Sequence, residues 1–170
     1  MWTVIETPID ELRLVGRTTE TGADALAAIE FSPFAETEVP GRPRGPRQDD
    51  HPVLLEAGRQ LTAYFAGERE TFDLPLAPFG TDFQQRVWTE LALVGYGETV
   101  SYGQVAVRLG LKPGASRAVG LANGRNPLPV VVPCHRVIGA DGTLTGYAGG
   151  LDRKRTLLDL ERGRDRDALF

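Results

Sequence analysis

The sequence predicts an α+β protein: a small N-terminal antiparallel sheet with a covering helix, then a mostly helical, winged helix-turn-helix-like C-terminal domain carrying the only cysteine. Three observations predict this. Short β-branched runs separated by turn residues fill the first third. Two capping boxes precede helical runs after Gly80. A basic window without a single acid spans Ser101 to Ala140 and encloses the cysteine.

Thr3 to Ile5, Glu11 to Val15 and Ala25 to Phe31 read as strands, separated by Pro8-Ile9-Asp10 and Thr21-Gly22-Ala23. Pro40 to Arg47 holds three prolines and two glycines, which block helix and central strand, and reads as a mobile, solvated surface loop. His51, beside Asp49-Asp50, reads as a solvated residue before a helix, with no further role. Leu54, Ala57, Leu61, Tyr64 and Phe65 recur at helical spacing, so Val53 to Phe65 forms the helix that covers the sheet. Phe72 to Phe79, with Pro75 and Pro78, is an extended passage that places a domain boundary after residue 79.

In the second domain, 80–170, Thr81-Asp82-Phe83-Gln84 is a capping box, and Phe83, Val87, Trp88, Leu91 and Val94 line one face until Gly95-Tyr96-Gly97. Ser101-Tyr102-Gly103-Gln104 starts a second helix running to about Leu109. Ala115 to Ala122 forms a third, closed by Asn123-Gly124. Two short helices joined by a Gly-containing turn suggest a helix-turn-helix. Asp141-Gly142 between Arg136 to Gly139 and Thr143 to Gly146 predicts a hairpin, the wing. Leu151 to Arg162 is a charged closing helix ending at Gly163, and Arg164 to Phe170 a loose tail.

Composition narrows the function classes. With one cysteine and two histidines in 170 residues, an intrachain disulfide is excluded and a structural zinc site is disfavoured. The N-terminus shows neither a secretory signal nor a membrane span, so a cytoplasmic protein without a membrane partner is expected. Net charge is −4, yet Arg108, Lys112, Arg117, Arg125 and Arg136 give the acid-free window +5 and leave −9 elsewhere. One basic face on an acidic body suits nucleic acid, whose binding rests on phosphate neutralisation.

Cys134 follows the apolar run Leu128 to Val132 in Pro133-Cys134-His135-Arg136-Val137. By itself it reads either as a small core hydrophobe or as a nucleophile with a neighbouring base. Gly114, Ala115, Ser116, Ala118, Gly120 and Ala122 give the third helix a smooth surface suited to close approach in the minor groove, where the base code is degenerate. Arg117 is its one long side chain. It reads as a phosphate contact or as a guanidinium that fills the place of an extruded base.

Pro133-Cys134-His135-Arg136-Val137, Asn126-Pro127, Ser101-Tyr102, Arg117-Ala118-Val119-Gly120 and Gly146-Tyr147-Ala148-Gly149-Gly150 together resemble the O6-alkylguanine-DNA alkyltransferase family. The resemblance covers about Gly80 to Glu161. It is looser earlier, where the family often has glycine after a Pro-Ile pair and this chain has Asp10. It implies a ribonuclease-H-like first domain and direct-reversal repair of double-stranded DNA. In that reaction an alkyl group on O6 of guanine, and also on O4 of thymine, passes irreversibly to Cys134.

The resemblance further implies that His135 acts as the base through a water, that Glu161 orients it, and that Asn126 ties the helix-turn-helix to the cysteine loop. Tyr102 would give a proton to the leaving base. Pro129, Val137, Tyr147, Ala148 and Gly149 would wall the base pocket together with Tyr102. Ala115, Ser116, Arg117, Ala118 and Gly120 would meet DNA. Thioether formation needs no cofactor, and no second thiol is present to reverse it, so each monomer would act once, even where several pack cooperatively along DNA.

Two other classes compete. A non-catalytic winged-helix regulator explains the helices and the basic window but leaves Cys134-His135 without purpose. A cysteine hydrolase conflicts with an adjacent Cys-His pair, because papain-like partners are distant in sequence.

Overall fold

Strands β1 (Trp2–Ile5), β2 (Leu12–Thr18) and β3 (Asp24–Phe31) form an antiparallel sheet in the order β1-β2-β3. The computed structural model describes the backbone of residues 1–167 and the side chains of residues 1–163. The chain divides into two compact units, 1–79 and 80–170. In the first, helix α1 (Pro52–Phe65) lays Leu54, Ala57 and Leu61 against a core that contains Leu12, Leu14 and Leu26. Each fully buried leucine contributes roughly 1.5–3 kcal/mol. Pro52 opens the helix at a position whose missing N–H costs no bond.

The turn between β1 and β2 accounts for the departure at Asp10. Asp10 adopts φ 75°, the left-handed region that glycine favours and aspartate tolerates better than most residues. The Thr7 hydroxyl donates to its carbonyl at 2.6 Å and helps to hold the turn closed.

Two expectations for this unit are corrected. Arg44, placed in a mobile solvated loop, is buried. It pairs with Glu30 at 3.2 Å and donates to the carbonyls of Ala35 and Thr37, so it anchors the loop from within. His51 is also not simply solvated: its Nε2 lies 3.4 Å from Asp24, with the side chain 17% exposed. The passage 72–79 runs beside β3, where Leu26 N–H donates to Pro75 O and Ala77 N–H to Leu26 O, each at 2.8 Å.

The second unit contains α2 (Asp82–Leu91), β4 (Val100–Ser101), α3 (Tyr102–Arg108), α4 (Ser116–Gly124), β5 (Val137–Ile138) and α5 (Leu151–Asp167). Both capping boxes are formed, Thr81 with Gln84 and Ser101 with Gln104. Helix α2 stops at Leu91, earlier than expected, and successive tight turns carry the chain on to the buried Val94. The Trp88 indole covers Gly80, where a Cβ would stand 2.4 Å from the ring, and its Nε1 donates to Ala122 O at 2.9 Å. Thus α2 fixes α4.

The expected wing hairpin is not formed. Val137–Ile138 pairs in parallel with Val100–Ser101, and residues 143–146 form no strand. The Asp-Gly sequence still makes a turn, closed by Gly139 N–H to Thr143 O at 2.9 Å. The closing helix passes through Gly163 to Asp167, so the expected tail from Arg164 is helical over 164–167. The remainder, 168–170, lies outside the described residues.

Candidate active site and nucleic-acid interface

The loop before Cys134 is held from one side chain. Asn126 donates through Nδ2 to Val132 O at 2.8 Å and accepts at Oδ1 from Leu128 N–H at 3.0 Å. Inside this clasp, Val132 N–H reaches Leu128 O at 2.8 Å, and Val130 sits at φ 71°. A β-branched residue there costs on the order of 1–3 kcal/mol and persists because the surrounding bonds over-determine the turn. Cys134 then opens a single 3-10 turn, Cys134–Arg136, with its N–H on Val132 O at 2.8 Å. Asn123 of α4 also points its Nδ2 at Cys134 O, at 3.5 Å.

Behind the cysteine lies a buried charged cluster. His135 Nε2 and Glu161 Oε1 of α5 are 2.8 Å apart. Arg136 binds both oxygens of the same carboxylate, at 2.9 and 2.8 Å, and donates to Val94 O at 2.6 Å. Gly97 N–H adds a contact to Oε2 at 3.3 Å. Burial opposes the charge on Glu161, but the bonds from His135 and Arg136 outweigh it and hold the carboxyl down at about 2.

An ionised carboxylate only accepts, so His135 Nε2 must donate. Burial keeps the imidazole below its ordinary pKa even though Glu161 pulls the other way. The ring is therefore neutral near pH 7, with its lone pair on Nδ1. That atom is buried and has no hydrogen-bond partner among the described residues. Burial pushes the Cys134 thiol up to about 11, against hydrogen bonds from Asn126 and Tyr147 and the charge of Lys154. A nucleophile in this place needs a base, and a neutral imidazole follows it in the chain.

Lys154 of α5 is fully buried and donates to Val137 O at 2.6 Å and Thr145 O at 3.0 Å. Burial holds its pKa down. Thr145 in turn lies 2.6 Å, hydroxyl to hydroxyl, from Tyr102, whose half-buried ring runs along Gly120 of α4. Pro129 and Val137 are buried, Tyr147 and Gly149 half-buried, and Ala148 exposed.

Helices α3 and α4 are joined through a turn with Gly110 at φ 68° and Gly114 at φ 91°. Ala115 is the N-cap of α4 and half-buried; Ser116, Arg117 and Ala118 are exposed, Gly120 half-buried, and Val119 and Ala122 buried. Lys112, Arg117 and Arg125 face solvent, and Arg108 stands 3.9 Å from Glu90. Arg136 does not join them. It is neutralised by Glu161 in the interior, so the surface of the window carries four of its five cations.

Known proteins share this organisation. Residues 1–78 match the family model of the 6-O-methylguanine DNA methyltransferase ribonuclease-like domain, and residues 82–163 that of its DNA binding domain. A methylated-DNA--protein-cysteine methyltransferase of Methanosarcina barkeri is 49% identical over 158 residues, which are 93% of this chain and 94% of that one. The chain belongs to the 6-O-methylguanine DNA methyltransferase family.

Mycobacterium tuberculosis has a relative of the same description, 64% identical over 105 residues, 62% of this chain. That match spans 63% of the relative's length. The crystal structure of Mycobacterium tuberculosis O6-methylguanine methyltransferase aligns with TM-score 0.78 at 47% identity, covering 96% of this chain and 93% of that one. The structure of Mycobacterium tuberculosis OGT in complex with DNA aligns with TM-score 0.79 at 46% identity over the same shares.

Within this methyltransferase family chain, the fold gathers Cys134, His135, Glu161 and Asn126 around one loop, with Tyr102 tied to Thr145 nearby. Sequence reasoning missed Arg136, Lys154, Asn123 and Thr145 as parts of the site. Arg136 and Lys154 resemble solvated charges when read along the chain. Asn123, before Gly124, resembles a helix stop. Nothing in the sequence marks Thr145.

Proposed function

We propose that this protein reverses alkylation damage in double-stranded DNA by moving the alkyl group from O6 of an extruded guanine, and from O4 of thymine, to Cys134. The observation that carries the reading is the neutral His135, donating to Glu161 and offering an unpaired Nδ1 beside a buried thiol in sequence. A non-catalytic regulator has no use for that arrangement. Residues 80–170 would bind DNA and perform transfer, and residues 1–79 would serve a structural role.

The thiol proton passes to His135 Nδ1 through a water, and the sulfur attacks the alkyl carbon in line. The C–O6 bond breaks as the C–S bond forms, and its electron pair goes to the purine. Tyr102 supplies a proton to the departing base, a step that general acid catalysis values at roughly a hundredfold or more. The imidazolium and the phenolate then re-equilibrate with solvent. Thioether and repaired base are the products; no cofactor takes part.

Ser116, Arg117, Ala118 and Gly120, after Ala115, would enter the minor groove, with Arg117 occupying the place of the extruded base. Tyr102, Pro129, Val137, Tyr147, Ala148 and Gly149 would enclose that base. Each monomer, working in the cytoplasm, acts once. Intact-mass measurement after incubation with an O6-methylguanine duplex tests this: one methyl-for-hydrogen gain on Cys134, in a stoichiometric burst, is expected. Sustained turnover, or no gain, would overturn it.

A further inference from the structure

We infer that Thr145 is a positioning residue for proton delivery, orienting the Tyr102 phenol through the 2.6 Å bond between their hydroxyls. The inference rests on the transfer reaction proposed above. A phenol that protonates a leaving base must turn its O–H toward that base and keep its oxygen satisfied while negative charge develops on it. A hydroxyl has one hydrogen and two lone pairs. When Thr145 Oγ1–H donates to Tyr102 Oη, the phenol hydrogen is free to point at the base, and the same donor stabilises the phenolate left after the proton moves.

Thr145 is well held for this task. Its carbonyl accepts from the buried Lys154 Nζ at 3.0 Å, and the same ammonium grips Val137 O at 2.6 Å, three residues beyond Cys134. One buried cation thus fixes both the strand that follows the nucleophile and the loop that carries the phenol's partner. The phenol ring packs beside Gly120 of α4, where a Cβ would lie in ordinary van der Waals contact at 3.6 Å. The proton balance is unchanged: the phenol O–H breaks, the base N–H forms, and Thr145 keeps its own hydrogen.

The test is a set of single-turnover transfer rates on an O6-methylguanine duplex for the full chain and for Thr145→Val, Thr145→Ser, Tyr102→Phe and Thr145→Val/Tyr102→Phe, with DNA affinity and melting temperature measured in parallel. Thr145→Val keeps the shape and removes the hydroxyl. Expected are a loss of about a hundredfold or more for Tyr102→Phe and a smaller loss, of about tenfold, for Thr145→Val at unchanged DNA affinity. Thr145→Ser should lie within about twofold of the parent, and the double variant should be no slower than Tyr102→Phe. A further slowing in the double variant makes Thr145 a packing residue and overturns the inference, as does a Thr145→Val protein that transfers at the parental rate. Parental transfer by Tyr102→Phe overturns it through its donor while leaving alkyl transfer standing. A parent protein that gains no methyl overturns both.

Discussion

His135 Nε2 and Glu161 Oε1 lie 2.8 Å apart with both side chains completely buried, and the same carboxylate is bound in bidentate fashion by Arg136. One carboxylate thus sets a histidine tautomer and neutralises a buried guanidinium. Its loss should affect reactivity and stability together.

Glu161→Gln is expected to leave Arg136 uncompensated in the interior. Removing one partner of a buried pair costs about 3–5 kcal/mol. The midpoint of urea unfolding should fall accordingly. Single-turnover transfer should fall at least about a hundredfold, because the amide no longer fixes Nε2 as donor. A variant of parental stability would show that Arg136 finds another partner.

Stability should drop on acidification. Glu161 is held down at about 2 in the folded state against an ordinary value of 4.5, so its contribution is full above 4.5 and is lost as pH falls toward 2. That contribution is on the order of 3 kcal/mol. His135 is also depressed, so the unfolded chain takes up its proton near 6.5 while the folded chain resists. Both act in the same direction. Urea midpoints at pH 7.5, 5.5 and 4 should decline in that order, and a flat profile would remove the cluster from the stability balance.

The Cys134 thiol, pushed up to about 11, should be nearly inert toward iodoacetamide at neutral pH. Roughly a hundredfold less thiolate than in a free cysteine is expected, and access is limited by burial. Mass spectrometry of the native protein before and after denaturation checks this. Rapid native labelling would mean that the thiolate is already formed.

Asn126→Ala should release the strained turn at Val130. The buried Leu128 N–H loses its partner, at a cost of about 1–3 kcal/mol, and Val132 O keeps only the Cys134 N–H. Transfer should fall further than DNA binding, since α4, which is proposed to enter the minor groove, is held elsewhere, by the Trp88 to Ala122 bond. Equal losses of both would show that the loop supports the helices.

Arg117→Ala should weaken binding to undamaged duplex and reduce the slope of log affinity against log salt by about 1. If Arg117 fills the space of the extruded base, transfer from a lesion should fall by more than binding to plain DNA does. A matched decline in both would make it a phosphate contact alone.

Local signals were legible where the chemistry is local. Thr81 and Ser101 announced their helices because a capping box joins residues three apart. Arg136 is not legible as an interior charge, since its partner Glu161 is 25 residues away and only the packing of α5 brings the two together. The wing was expected from Asp141-Gly142, but a turn dipeptide specifies only a reversal; β4 claims β5 instead. The burial of Arg44 is not legible locally, because proline and glycine describe backbone freedom and say nothing of a carboxylate in β3.

The sequence by itself determined the three strands of the first unit and the five helices, the smooth surface of α4 inside an acid-free basic window, and the single thiol with histidine beside it. These follow from spacing, capping and composition, which act over a few residues. Tertiary structure alone decided which charges are interior, which tautomer His135 holds, how high the thiol is pushed, and that Lys154 and Thr145 stand behind Val137 and Tyr102. Burial and ion pairing are properties of surroundings assembled from distant segments, so no local reading contains them.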